Sequence, residues 1–358
     1  MVRGTGSNHD ARGAGQRKIK TFRLPVIGVC FLAFVASACG SHSSTPSTDA
    51  GLTMVSDVPL PGDTTRFDYE SFDPQAGRLY IAHLGAGAII VFDTGSNTVV
   101  GTIDNVAGVH GVFVVPQLGR LYASATGTNE VAVIDTTTLS VVASVPVGVY
   151  PDGLTYDPEV GKVYVSNESG GTDSVIDAMT NQLVATIQLD GEAGNTQYDP
   201  TSHRIYVAVQ TKNDVVSIDP ATDEIVERYD MPGCDEPHGL LIDSQDEIAY
   251  VACQSNAKLL VFDLQAKRVT QTFDTGDRPD VLAADPALHL LYVAAEDGIL
   301  ATFVQENGGL RTGRKGFVGP NAHVVAVDQE THAIYLPLKD VEGHPVLRQM
   351  TISSPGTH

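Results

Sequence analysis

The sequence DPQAGRLY at residues 73–80 decides the fold, because it returns along the chain at a nearly constant interval. It reappears as DPEVGKVY at residues 157–164, and looser copies lie between and after these two. Each copy ends in a tyrosine: Tyr80, Tyr122, Tyr164, Tyr206, Tyr250, Tyr292 and Tyr335, which are 42, 42, 42, 44, 42 and 43 residues apart. A fixed period near 40 residues is typical of a repeat architecture.

Every repeat carries the same short apolar strands separated by turn residues. An apolar strand leads to a turn and then to the tyrosine strand, and in most repeats a third strand ends in Asp 13 residues after the tyrosine. In the first repeat the third strand is residues 89–93, and a fourth follows at residues 98–103. Four strands per repeat, with no sustained helical apolar period, predict the blade of a β-propeller and almost no helix.

Seven such repeats predict an all-β, seven-bladed propeller over residues 52–358. The blades must close into a ring, because an open array leaves two sheet edges unpaired. The last repeat stops one strand short, and a spare strand at residues 52–58 precedes the first repeat. We therefore expect the mature N-terminal strand to pair in the last blade as its outer strand.

The repeat resembles the YncE-like, or YVTN, type of seven-bladed propeller, since residues 164–167 read YVSN. The resemblance covers residues 52–351, almost the whole mature chain. It implies the fold and leaves the activity open, because propellers of this type serve both as binding proteins and as enzyme scaffolds.

The first 38 residues have the layout of an export signal. Basic residues at positions 17–23 precede an apolar run at 24–38 that is too short for a permanent membrane span. The run ends in small residues before Cys39 and so resembles a bacterial lipobox, with Cys39 as the lipidated residue; an ordinary cleaved signal is the alternative. Residues 39–51 predict a flexible tether. We expect an exported protein of the cell envelope, periplasmic or on the cell surface, attached to membrane only through a lipid anchor.

The chain is acidic, with 22 Lys and Arg against 43 Asp and Glu. The leader holds six of the basic residues and one acidic residue, so 16 basic and 42 acidic side chains remain and the mature net charge is −26. A surface this acidic repels nucleic acid and favours cations or basic partners. We therefore expect no nucleic-acid partner.

Two sets of aspartates recur in phase with the tyrosines and predict turns. They are Asp73, Asp157, Asp199, Asp243, Asp285 and Asp328 in one turn, and Asp93, Asp135, Asp177, Asp219 and Asp263 in another. Asp commonly accepts a hydrogen bond from its own backbone two residues on. We interpret these eleven residues as turn formers.

The position 12 residues before each tyrosine differs from blade to blade in a chemically suggestive way. Around the ring it holds Asp68, His110, Asp152, Gly194, His238, Asp280 and His323. The innermost strand of a blade begins here, so these ring residues should gather at the mouth of the central channel. Mixed His and Asp ligands suit zinc, iron, copper or manganese, which makes the six charged or imidazole groups candidate ligands of a divalent metal ion. A wet mouth lined by polar side chains is the alternative, and strand alternation also allows these groups to lean between blades.

Neighbouring loops should bring further side chains to the same mouth. The candidate ligand-binding residues are Arg66, His83, Asn195, Arg278 and Glu296. Arg66 and Arg278 stand out in so acidic a chain, because they could clamp a substrate carboxylate. Surface ion pairs are the commoner fate of such arginines.

Cys234 and Cys253 both fall on the mouth side of the fifth repeat. An even pair of cysteines in an exported protein favours a disulfide. The alternative is a Cys–His–Cys metal site with His238, which would need reduced thiols in an oxidising compartment.

The first functional hypothesis is a binding protein whose mouth captures a metal ion, a small ligand or a partner segment. The second is a metal-assisted hydrolase or lactonase, by analogy with gluconolactonase-like propellers, in which Asp68, Asp152 or Asp280 would hold the metal and a histidine would move the proton. A structural protein with an inert channel is the third. The chain has no Gly-x-Ser-x-Gly, His-Glu-x-x-His or Cys-x-x-Cys-His motif, so nucleophile-elbow hydrolases, zincins and c-type cytochromes lose support.

Overall fold

The computed structural model describes residues 50–353, which form seven four-stranded antiparallel sheets. The sheets are the blades of a propeller, and the predicted all-β, seven-bladed fold is confirmed. The predicted export signal, Cys39 and residues 39–49 of the tether lie outside the described residues.

The strands of each blade follow one another from the central axis outwards. Blade one contains Glu70–Asp73, Arg78–His83, Ala88–Asp93 and Thr98–Ile103; blade two contains Val109–Val115, Arg120–Ala125, Glu130–Asp135 and Ser140–Pro146. Blade three contains Pro151–Asp157, Lys162–Asn167, Thr172–Asp177 and Gln182–Gln188; blade four contains Ala193–Asp199, Arg204–Val209, Asp214–Asp219 and Glu224–Asp230. Blade five contains Pro237–Asp243, Ile248–Cys253, Lys258–Asp263 and Arg268–Asp274; blade six contains Pro279–Asp285, Leu290–Ala295, Ile299–Glu306 and Gly309–Phe317. Blade seven contains Ala326–Asp328, Ala333–Val341, His344–Ile352 and, as its outer strand, Leu52–Pro59.

Helix is confined to four short 3-10 turns in the part of the chain that the structure covers. They are Leu84–Ala86, Pro116–Leu118, Gln210–Lys212 and Pro286–Leu288. Within residues 50–353, none of these helical segments has the length and apolar character needed to cross a membrane.

The ring closes through the N-terminal strand, as the sequence predicts. Leu52–Pro59 pairs antiparallel with His344–Ile352, from Leu52 opposite Ile352 to Pro59 opposite Val346. Arg348 donates from Nε to the Asp57 carboxylate at 2.8 Å across this pair. Strands from the two ends of the propeller therefore complete one blade.

The repeated tyrosines mark the apolar core between blades. All seven are buried, none more than 4 % exposed. One core cluster joins Tyr80 and Val91 of blade one to Val112 and Leu121 of blade two, and similar clusters lie between the other blades. Each blade buries its two faces against its neighbours. The residues that recur in the sequence are therefore those that make the contacts between blades and stabilise the ring.

The eleven in-phase aspartates are confirmed as turn formers. In every case a side-chain oxygen accepts a backbone N–H two or three residues further on. Asp93, for example, accepts from Ser96 at 2.7 Å. Their carboxylates are engaged in the turns and do not belong to the mouth.

Cys234 and Cys253 are joined by a disulfide in blade five, with their Cα atoms 5.2 Å apart. The bond ties the loop that enters the blade to the end of its second strand. Because the two sulfur atoms are bonded to each other, they are not available as thiolate ligands beside His238.

Candidate functional site

A backbone hydrogen bond that recurs in five blades organises the mouth. In each blade the carbonyl of the residue two before the ring position accepts an N–H from the loop after the tyrosine strand. The pairs are Arg66 and Gly85, Tyr150 and Glu168, Glu192 and Gln210, Glu236 and Gln254, and Arg278 and Glu296, with N–O distances of 2.8–3.1 Å. The bond holds the two loops together, so side chains from both reach one rim.

The ring position lies at an irregularity of the innermost strand. In blade three the pairing register shifts between Pro151 and Leu154, and blades two, four, five and six shift at the equivalent place. A bulge of this kind breaks the alternation of side chains along a strand. Asp152 therefore lines the mouth cavity, whereas Leu154 packs in the core.

In blades two and five, the residue after the ring position is a glycine that packs closely against the backbone of the next blade. A Cβ placed on Gly111 would lie 2.2 Å from the carbonyl oxygen of Asp152, and one on Gly239 would lie 1.9 Å from that of Asp280. Both distances are far inside contact, so only glycine fits without a shift of the backbone. This close approach draws the ring residues of adjacent blades together.

Asp280 is the centre of the group that forms. Its Oδ1 lies 3.3 Å from Nε2 of His238, and its Oδ2 lies 4.0 Å from Nε2 of His323 and 3.7 Å from a guanidinium nitrogen of Arg66. Asp280, His238 and His323 are all buried. One carboxylate is thus surrounded by three nitrogen-bearing side chains from three other blades.

The electrostatics of this group make Asp280 and His238 an ion pair. Burial alone would raise the pKa of Asp280, but the imidazole of His238 at 3.3 Å, with the charges of His323 and Arg66, lowers that pKa to about 2. Burial alone would lower the pKa of His238, but the adjacent carboxylate of Asp280 and the charge of Asp152 raise it to about 9. A protonated imidazole and an ionised carboxylate compensate each other here.

Asp152 is the ring carboxylate without a close partner. No hydrogen bond reaches its side chain from residues 50–353, and the nearest ion-pair partner is Nε2 of His238 at 4.0 Å. Its side chain is only 4 % exposed. Burial raises the pKa of Asp152 to about 7, against the opposing charges of His238 and His110. A buried carboxyl group with no hydrogen bond has a desolvation cost that a ligand could offset.

Asp152 faces a cavity of about 300 Å³ at the mouth. Five of the predicted ring residues line it, namely Asp68, His110, Asp152, His238 and Asp280, together with Arg66, Arg278 and Glu296 from the loops. The sixth, His323, is buried beside Asp280. The six predicted residues are thus brought to one place.

Arg66 is held by carboxylates of the protein itself. Its guanidinium lies 3.2 Å from Asp68, 3.0 Å from Glu296 and 3.7 Å from Asp280. Arg278 makes one ion pair, from Nε to Glu296 at 3.3 Å. Of the two arginines that the sequence singles out, Arg278 is therefore the one with nitrogens left for a ligand.

His110 forms a separate contact with Tyr150 on the other side of the cavity. Its Nδ1 lies 2.9 Å from the carbonyl oxygen of Gly108, which can only accept, so Nδ1 carries the proton of the neutral ring. Nε2 then accepts from the Tyr150 hydroxyl at 3.2 Å. This pair places an aromatic ring on the cavity wall beside Asp152.

Two predicted ligand-binding residues lie away from this cavity. The ring of His83 stacks on Phe67 at 4.2 Å, and its Nε2 lies 3.1 Å from Oγ1 of Thr65. Asn195 lines a second cavity of about 260 Å³, enclosed by the innermost strands within the channel. Neither side chain lines the cavity that Asp152 faces.

Tyr69 and Glu70 line the channel cavity, and the sequence reasoning missed both. Burial, and then the nearby charges of Asp152, Asp280 and Asp68, raise the pKa of Tyr69. Burial raises the pKa of Glu70, whose carboxyl oxygens make no hydrogen bond within the described structure. The sequence did contain a signal for Glu70: the equivalent position, ten residues before the tyrosine, holds an apolar residue in five of the other six repeats.

The positions of the ring side chains bear on how the mouth could hold a metal ion. Within residues 50–353, no three His, Cys, Asp or Glu side chains are arranged to hold one metal ion. Arg66 supplies a positive charge at the point where Asp68, Asp280 and Glu296 approach one another. A metal ion at these carboxylates would therefore compete with a guanidinium.

Comparison with known proteins identifies the family. A sequence model described as "Choice-of-anchor I domain" matches residues 93–280, which is more than half of the chain. The chain belongs to the choice-of-anchor I domain family. Membership of this family, a propeller-type extracellular repeat domain, indicates a cell-surface or extracellular protein.

One solved structure gives an independent view of the choice-of-anchor I propeller. It is described as "Kuenenia stuttgartiensis Hydrazine Synthase" and superimposes with a TM-score of 0.70, covering 80 % of this chain and 95 % of that one at 14 % identity. At this identity the likeness shows the fold alone. No curated protein matches the chain.

Proposed function

We propose that this protein is an extracytoplasmic binding protein that takes a small polar ligand in the mouth cavity. The observation that carries the proposal is Asp152, a buried carboxyl group that faces a cavity of about 300 Å³ and makes no hydrogen bond within residues 50–353. Buried polar groups normally have partners, and a concave pocket with a few convergent polar groups is the usual form of a small-molecule site.

A screen of small polar compounds tests this function. Calorimetric titration of the wild type would find a ligand, and Asp152→Asn should weaken its binding by roughly 10- to 100-fold, because one charged hydrogen bond is lost. Asp277→Asn is the matched control, since Asp277 is exposed on the same rim and does not line the cavity. Equal affinity in Asp152→Asn and the wild type would refute a site at the mouth.

The finer features expected from the sequence belong to the same proposal. A YncE-like repeat would supply the rigid ring, and lipidation of Cys39 would hold the mouth cavity at the cell envelope. Mass spectrometry of the mature N-terminus tests the anchor: a lipid mass on Cys39 is expected, and its loss in Cys39→Ser should release the protein from membranes. An unmodified N-terminus would leave an ordinary cleaved signal.

A divalent metal ion is the second candidate ligand, and an imidazole nitrogen without a hydrogen bond favours it. Nδ1 of His323 lies 2.9 Å from the Asn321 carbonyl oxygen and donates to it, so Nε2 is the ring nitrogen that faces Asp280. Nε2 has no hydrogen bond in the described structure and lies 4.0 Å from Oδ2 of Asp280. A tetrahedral zinc ion bonded to both atoms would hold them about 3.3 Å apart, so the two side chains would have to move closer to bind it.

Metal analysis separates the two candidates. Protein purified without added metal should contain a stoichiometric divalent ion if the second candidate holds, and His238→Ala with His323→Ala should abolish it. The metal-assisted hydrolase or lactonase depends on the same ion. Lactone hydrolysis that is lost in Asp280→Asn would favour that enzyme over a binding protein. If the metal-free protein binds its ligand with full affinity, the metal-dependent enzyme is excluded.

A further inference from the structure

The mouth cavity has two chemically different walls. In a seven-bladed ring, blade three lies across the axis from blades six and seven. Blade three contributes Asp152, Tyr150 and Glu168 to the cavity, and blade six contributes Arg278, Asp280 and Glu296. The two blade-six carboxylates are already paired, Asp280 with His238 and Glu296 with Arg66. An acidic wall therefore faces a wall that carries a guanidinium.

The acidic wall has carboxyl groups whose capacity for hydrogen bonds is not used. Asp152 makes no hydrogen bond among the described residues, and Glu168 accepts one side-chain bond, a long one of 3.3 Å from Gln210. The Tyr150 ring stands beside them, and an aromatic face attracts cations. This side of the cavity is suited to a cationic group.

The opposite wall has unused positive charge. Nε of Arg278 pairs with Glu296 at 3.3 Å, and its two terminal nitrogens donate no hydrogen bond within residues 50–353. The Arg278 side chain is 51 % exposed, so those nitrogens are accessible. Arg66, in contrast, is taken up by three carboxylates. A ligand carboxylate would therefore meet Arg278.

We infer that the ligand of the mouth is a small zwitterion, with an ammonium group against Asp152 and a carboxylate against Arg278. The inference rests on the proposed function and names the class of ligand for the same cavity. A simple anion would lie near Asp152 and Glu168 without compensation, and a simple cation would leave Arg278 unused. A molecule with both charges satisfies both walls, and a cavity of about 300 Å³ has room for a small amino acid.

The test is calorimetric titration of the full-length protein with glycine, β-alanine, 4-aminobutyrate and 6-aminohexanoate. This series holds the two charges constant and varies their separation. Butylamine and butyrate are controls that carry one charge each. One member of the series should bind at least about tenfold more tightly than either control, because each charged contact contributes a factor of that order.

Two variants assign the charges to their walls. Arg278→Gln should lower the affinity for the zwitterion roughly tenfold and leave that for butylamine unchanged, whereas Asp152→Asn should lower both. Because Arg278 is half exposed, its variant is expected to fold, and Asp277→Asn serves as the control for a charge change on the rim.

Three outcomes would overturn the inference. They are equal affinity for butylamine and the amino acids, unchanged affinity in Arg278→Gln, and no binding by any member of the series. Binding of butylamine alone, or of a neutral polar compound, that is lost in Asp152→Asn would overturn the zwitterion and leave the proposed function standing. The proposed function itself would be refuted if Asp152→Asn bound every ligand of the wild type with unchanged affinity.

Discussion

The guanidinium of Arg66 lies 3.0 Å from the carboxylate of Glu296, although the two residues are 230 positions apart. Arg66 enters blade one and Glu296 follows the second strand of blade six, so the ion pair passes over blade seven. The same guanidinium contacts Asp68 and Asp280. One cation therefore compensates three carboxylates at the mouth, two of them buried.

Arg66→Gln should destabilise the protein by about 1–3 kcal/mol, because buried Asp68 and Asp280 lose a charged partner. Urea unfolding measures the loss. Arg278→Gln is the control: its exposed pair with Glu296 should contribute about 0.5 kcal/mol or less. Similar losses in the two variants would show that Arg66 does not compensate the buried carboxylates.

Gly239→Ala should disrupt the contact between blades five and six, because the new methyl group would lie 1.9 Å from the Asp280 carbonyl oxygen. We expect a loss of at least about 2 kcal/mol in unfolding free energy, or failure to fold. Gly95→Ala is the matched control, since its Cβ meets only an ordinary contact at 3.5 Å, and should change stability by about 0.5 kcal/mol or less. A well-folded Gly239→Ala of wild-type stability would contradict the packing described.

Asp173 should make stability fall as pH rises. It is fully buried, and burial raises its pKa to about 7, against the hydrogen bond from the Val165 N–H. An unfolded Asp loses its proton near pH 4, so between about pH 4 and 7 the folded state binds more protons than the unfolded state and stability decreases. Above pH 7 the loss from this residue is complete and stays constant.

Asp173→Asn should remove that decrease and stabilise the protein at pH 8 by up to about 4 kcal/mol, since the amide cannot ionise. Thermal unfolding from pH 4 to 8 gives the comparison. Asp230→Asn, on an exposed strand, should follow the wild-type profile. Parallel profiles for Asp173→Asn and the wild type would mean that the folded carboxyl group does not retain its proton.

The disulfide of blade five closes a separation of 19 residues. Replacing both cysteines with serine should lower the unfolding free energy by about 2–4 kcal/mol, chiefly because the unfolded chain gains freedom. Reductant should destabilise the wild type by a similar amount and leave the double variant unchanged. A wild type that does not respond to reductant under unfolding conditions would argue against the bond.

Most of the fold could be predicted from the sequence, because the feature that stabilises it is repeated. Tyr80 and its six equivalents are buried between blades, so the period in the chain is the period of the core. The closing strand was also predictable, since the last repeat lacks one strand and residues 52–58 supply it. Both conclusions depend on spacing alone.

The sequence was enough to predict which residues occupy the ring position of each blade. It was not enough to predict which side chains they contact. Equivalent positions in a propeller must share a rim, which places Asp152, His238 and Asp280 together. That Arg66 compensates Asp280, and that Asp152 has no hydrogen bond, depends on distances between blades that no local pattern encodes.

His83 shows where spacing misleads. It follows Tyr80 by the interval that brings loop residues to the mouth in other blades, but the segment joining the closing strand to blade one covers it. Thr65 contacts its Nε2, and a Cβ on Gly62 would lie 2.6 Å from the ring. This segment has no equivalent in other repeats, so periodic reasoning does not include it.

Pairing of Leu52 with Ile352 has a consequence for how the protein is made. Leu52–Pro59 has no partner until His344–Ile352 has also been synthesised, so blade seven cannot form before the other six blades have been synthesised. Closing so long a loop is entropically costly and slow. The ring is therefore the last part of the propeller to close, and a variant that lacks either of these two strands would expose an unpaired sheet edge with which other molecules could pair.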